Sequence, residues 1–173
     1  MRATHSFLLS AALKKKYAID SLTVVADAAM ISFDNVKKLE EHELSYIVGG
    51  RISNLKQNQM KEVSSGLVGE TQDEKELAKK DGVSIRIETE RGLLLCDFSL
   101  KRYMKEKREM EKQIQKAKLQ LEKSAGVKRI KFLQSKDKKN AEQVLNTRLI
   151  EQTKLLLGIK GYYTSHKLIF GKI

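Results

Sequence analysis

A chain of 173 residues with 40% apolar and 32% charged side chains has a soluble composition and can bury the core of one ordinary domain. Its formal charge of +12 makes an anionic partner the expectation. The single cysteine excludes an internal disulfide and suits a reducing cytosol, and no run approaches the roughly 18 apolar residues of a membrane span. Proline is absent, which suits long helices.

Residues 5–17 read as a helix, with Phe7, Leu8, Ala11, Ala12 and the stem of Lys15 on one face. The run from Phe7 to Leu13 has the apolarity of a secretion signal. It leads into Lys14-Lys15-Lys16 and not into a cleavage site, so the helical reading is kept. The lysines fall in the last turn, where cations complement the helix dipole.

Leu22-Thr23-Val24-Val25-Ala26 follows as an apolar strand that ends abruptly in Asp27. Ser32 is a good N-cap for a helix over 33–43, with Asp34 in the first turn and Val36 and Leu39 on an inner stripe. A second apolar run, Tyr46-Ile47-Val48, ends at Gly49-Gly50-Arg51. These pieces predict a strand–helix–strand unit. Ligands in α/β sheets bind beyond the carboxyl ends of strands, so Asp27 is a candidate metal ligand or catalytic acid. The alternative is that Asp27 ends the strand and faces water.

A short helix is predicted over 54–65, with Leu55, Met60 and Val63 facing inward. Residues 66–82 form a polar connection in which 74–80 has room for one helical turn or two. Val83 to Thr89 alternates with period two, Glu90-Arg91-Gly92 turns the chain, and Leu93 to Phe98 returns: a β-hairpin. Cys96 lies in the second run and reads as a buried small hydrophobe.

A single long helix is predicted from 99 to 124, striped by Tyr103, Met110, Ile114, Ala117 and Leu121. Residues 101–123 hold nine Lys or Arg against four Glu, a surplus of five that reaches ten when the count runs on to 139. Two readings stand. One is a solvated face with i,i+4 ion pairs such as Lys105–Glu109 and Lys107–Glu111. The other is a phosphate-binding ridge of Lys101, Arg102, Lys105, Lys107, Arg108, Lys112 and Lys116, with duplex DNA as the partner. Beyond it, 127–133 is predicted as a strand, 140–150 as either helix or strand, and 155–164 as strand–turn–strand. His5, His42 and His166 are far apart and read as ordinary histidines, and phosphate-loop, dinucleotide, C-x-x-C and H-E-x-x-H patterns are absent.

The block VVADAAMISFDNVKKLEEHELSYIVGGRI resembles the region around the second catalytic aspartate in the DDE-type transposases of bacterial insertion sequences. That group has a ribonuclease H-like core interrupted by a β-rich insertion. The matching positions are Val25-Ala26-Asp27, Ala28-Ala29, Ser32 with Asn35, and Gly50-Arg51. Farther on, Lys101-Arg102, Arg108-Glu109 and Lys116-Ala117 are similar to the entry of the insertion. Gly161-Tyr162-Tyr163-Thr164 is similar to the strand that returns from it, with Ser165 where Asn is usual.

The resemblance implies an α/β fold of α+β type. It divides the chain into a partial ribonuclease H-like core (5–65), the polar connection (66–82), an insertion domain (83–164) with the basic helix, and an atypical tail (165–173). It implies metal-dependent DNA cleavage and strand transfer, with Asp27 as a catalytic metal ligand. The cofactor would be Mg²⁺ or Mn²⁺ in the intact family and weakly held or missing here. The partners would be the double-stranded ends of the element and other transposase chains, in the bacterial cytoplasm at the nucleoid. The family mechanism uses three carboxylates and two metals. Only Asp27 matches, and Asp20, Asp34 and Asp97 do not stand at comparable strand ends, so the expectation is a central fragment that is inactive alone. Two other classes compete with it. A receiver-type phosphoacceptor needs an acidic pair upstream of its aspartate, and none precedes Asp27. A non-catalytic nucleic-acid-binding or adaptor protein would rest on the basic helix alone.

Overall fold

The computed structural model describes residues 12, 14–27, 33–71, 73–122, 130–136 and 142–165. The chain is mixed α/β and forms two compact units. The first takes residues 1–52, 84–97 and 160–173; the second takes 53–83 and 98–159.

The first unit is built on a mixed five-stranded sheet of order β1-β2-β7-β4-β3. β1 (Thr23–Ala26) pairs in parallel with β2 (Ser45–Gly50), with Val25 opposite Ile47 and Ala26 opposite Val48. The helix between them, α1 (Phe33–Glu41), supplies the crossover that a parallel pair requires. The predicted strand–helix–strand unit is therefore present; its Ser32 cap lies outside the described residues, as does most of the 5–17 helix, of which Lys14, Lys15 and Lys16 are helical. Val36 and Leu39 of α1 are buried with Leu44, Tyr46 and Val48, and Leu22, Val24, Ala26 and Tyr163 pack against them. Each such side chain taken from water contributes on the order of 1.5–3 kcal/mol. Tyr46 keeps its hydroxyl satisfied by donating to Glu40 Oε1 at 2.8 Å. Burial, and then the neighbouring Glu40 carboxylate, hold that phenol well above its ordinary range.

β2 does not end before its glycines, as the sequence suggests, but runs through Gly49 and Gly50. For Gly50 the reason is space. A Cβ on Gly50 would lie 2.6 Å from Leu94 Cδ1, and one on Gly161 would lie 2.6 Å from Ile52 Cγ2. Gly50 and Gly161 are opposite one another in the antiparallel ladder of β2 with β7 (Ile159–Thr164), which brings the neighbouring strands into close approach. Ser165 extends this ladder. Its Oγ accepts from Tyr46 N–H at 2.9 Å, and its own N–H donates to Tyr46 O at 3.2 Å. The predicted hairpin is β3 (Ser84–Thr89) with β4 (Gly92–Phe98), paired from Ser84–Asp97 to Thr89–Gly92.

The second unit carries α2 (Gln57–Leu67), preceded by a short 3-10 turn (Ile52–Asn54), then α3 (Glu74–Ala78), α4 (Leu100–Glu122) and α5 (Thr147–Leu155). It also carries a two-stranded antiparallel sheet of β5 (Leu133–Ser135) and β6 (Gln143–Leu145). α3 begins where Asp73 accepts from the N–H groups of Lys75 and Glu76 at 2.7 and 3.2 Å. The polar connection also holds buried apolar anchors, Leu67, Val68 and Leu77.

Two predicted elements are corrected. The strand expected over 127–133 begins only at Leu133, and 123–129 lie outside the described residues. Leu155–Leu157 end a helix and enter a turn; they are not a strand. The ambiguous stretch 140–150 is both strand and helix, divided at Asn146, whose side chain accepts from Leu149 N–H at 2.9 Å as an N-cap.

Gly158 closes the turn into β7 at φ +76°, where a side chain is disfavoured. A Cβ there would lie 2.7 Å from Phe98 Cε2, 2.7 Å from Tyr103 Cβ and 2.9 Å from Ser99 O. Gly158→Ala is therefore expected to destabilise the chain by about 2–4 kcal/mol, from the left-handed backbone and the overpacking together. Urea unfolding followed by circular dichroism checks this; an unchanged midpoint would contradict the packing around Gly158.

Candidate functional site

Asp27 follows β1 directly, at the carboxyl end of a strand that lies at one edge of the described sheet. The next step of the parallel register sets it beside Gly49, the first of the two glycines of β2. Its side chain is exposed. Asp20 and Asp34 are exposed as well, the latter in the first turn of α1, and Asp97 is half-buried in β4 opposite Ser84. Among the described residues, no three His, Cys, Asp or Glu side chains come together to hold a metal ion. Magnesium and manganese favour several oxygen donors in near-octahedral arrangement. One exposed carboxylate does not make such a site, so the donors among the described residues do not fit a resident divalent metal.

The basic candidates belong to the second unit and all lie on α4. Lys101, Lys105, Arg108, Lys112 and Lys116 are exposed, whereas Arg102 and Lys107 are half-buried. Arg102 Nη1 donates to Gly158 O at 3.3 Å. Lys107 Nζ lies 5.9 Å from the centroid of the Tyr103 ring, within cation–π range. The acidic side of the helix is engaged too. Glu106 Oε2 accepts from Gly158 N–H at 2.8 Å, and Ser99 N–H donates to Gly158 O at 2.9 Å. This clasp was not legible in the sequence, because it joins Glu106 and Gly158 across 52 positions with no local pattern to announce it.

Cys96, the one thiol, is fully buried in β4. Burial, and then the charge of the adjacent Asp97, push the thiol up to about 12. A thiol that stays protonated and inaccessible is not a nucleophile. His42 is exposed; His5 and His166 lie outside the described residues. Among the described residues no helix is long and apolar enough to cross a membrane.

No family model, curated protein or solved structure matches this chain.

Iodoacetamide is expected to leave Cys96 of the native protein unmodified at pH 8 and to label it fully in denaturant, read by intact mass. Rapid native labelling would contradict its burial.

Proposed function

We propose that this chain is a transposase-type component of DNA transposition, built on part of a ribonuclease H-like core, in which Asp27 is one member of a carboxylate set that processes phosphodiesters. The observation that carries this reading is the parallel β1–α1–β2 unit with Asp27 exposed at the carboxyl tip of β1. That is where α/β sheets present their ligand-binding groups. The resemblance of the Val25-Ala26-Asp27 and Gly50-Arg51 positions to the DDE-type transposases supports it, as does the charge of +12. Because the sequence carries only one matching carboxylate, the chain by itself is inactive, and further acidic residues have to come from other polypeptide. The net charge, with a run of exposed cations on one helix, also favours a second reading, a non-catalytic nucleic-acid-binding protein.

One experiment separates them. The purified chain, with Mg²⁺ or Mn²⁺, is expected to leave supercoiled DNA intact. Mixed with separately expressed segments that carry the other two acidic elements of the resembled core, it is expected to nick an element end, and Asp27→Ala is expected to abolish that nicking. Nicking that survives Asp27→Ala would sink the first reading. A mixture that binds DNA but never nicks it would leave the second.

A further inference from the structure

The sign and spacing of charge on α4 go further than a general excess of lysine. The helix is 23 residues long. Its buried side is a heptad line of Tyr103, Met110 and Ala117, with Ile114 and Leu121 half-buried beside it. Lys101, Lys105, Arg108, Lys112 and Lys116 follow steps of four, three, four and four residues, which keeps them on one face. With about 3.6 residues per turn, that face lies half a turn away from the heptad line. All five side chains are exposed. The four acidic residues of the helix stand off this line: Glu106 is turned to Gly158, and Glu109, Glu111 and Glu122 lie on its flanks.

We infer that this outer face of α4 is a rail that seats one phosphodiester strand of a nucleic-acid duplex, with the helix lying along the backbone. The inference rests on the nucleic-acid partner of the reading above, but not on the role of Asp27. At 1.5 Å per residue, Lys101 to Lys116 spans about 22 Å. One strand of a duplex presents a phosphate roughly every 3.4 Å of axis, so about six phosphates face five cations. Arg102 and Lys107, phosphate-binding candidates from the sequence, are not part of the rail: one is directed to Gly158 O and the other to the Tyr103 ring. Cations arranged in this way hold a backbone and carry little base information.

An anionic membrane would also attract such a face. A helix that binds membranes, however, inserts an apolar side. The apolar side of α4 is buried, and of its large hydrophobic residues Leu119, at 46% exposure, is the one that stands out in solvent. The duplex is the occupant that needs only charge.

The experiment is a salt titration of binding to a short mixed-sequence DNA duplex, by fluorescence anisotropy. The parent chain is compared with a rail variant (Lys101→Gln, Lys105→Gln, Arg108→Gln, Lys112→Gln, Lys116→Gln). A control variant removes the same charge from exposed positions elsewhere in this unit (Lys61→Gln, Lys75→Gln, Lys79→Gln, Lys118→Gln, Lys154→Gln). The slope of log K against log salt is expected to become shallower by about four to five in the rail variant, roughly 0.9 for each phosphate no longer neutralised, and to change by less than about one in the control. Circular dichroism melts matching the parent confirm that both variants fold. Equal losses in the two variants would overturn the rail. So would a parent that binds phosphatidylcholine–phosphatidylserine vesicles but not the duplex. Loss of nicking with an intact rail slope would instead fault the role of Asp27 and leave the rail standing.

Discussion

The second unit depends on how Gly158 is held. Its N–H is taken by Glu106, and its carbonyl by Ser99 N–H and Arg102. No side chain fits there, because Phe98, Tyr103 and Ser99 already occupy the space. This fixes the rotation of α4 about its own axis. Once Tyr103, Met110 and Ala117 face inward and Glu106 reaches Gly158, the five-cation line has one direction left to face, which is solvent. A charged helix face is ordinarily worth little to stability. Here it costs the fold nothing, so its regular spacing is available for a partner.

The first unit obeys a different constraint. Parallel strands need a crossover, and α1 provides it by burying Val36 and Leu39 on Leu44, Tyr46 and Val48. The crossover leaves Asp27 at the tip of an edge strand. Val25, the most exposed large hydrophobic residue in β1 at 74%, lies on the opposite face of the strand from Val24 and Ala26. An edge strand with a bare valine is a template for further pairing, which accords with a sheet that other polypeptide completes.

Much of this was legible in the sequence where signals are local. Alternation gave the β3–β4 hairpin, and the seven-residue spacing of Tyr103, Met110 and Ala117 gave α4 and its inner face. Apolar runs with a Val36–Leu39 stripe between them gave β1–α1–β2. The failures have physical causes. Gly49 and Gly50 looked like a turn, because composition cannot distinguish a flexible glycine from one that, like Gly50, is required by the closeness of Leu94 and Tyr163. Leu155–Leu157 looked like a strand because a short apolar run has no period of its own; the Asn146 cap that starts α5 decides it. Of the candidate site, the sequence located Asp27 and the basic helix. It could not tell which cations turn inward, since Arg102 finds Gly158 only through the fold.

On this view α4 presents one cationic face to a nucleic-acid backbone, while its other charged groups hold the unit together. Lysine acetylation footprinting with and without saturating duplex tests that division of roles most directly, because it reports each lysine separately. Protection of Lys101, Lys105, Lys112 and Lys116 is expected, with Lys107 and Lys118 on the same helix unchanged. Protection spread evenly over the lysines of the chain, or confined to positions outside α4, would contradict it.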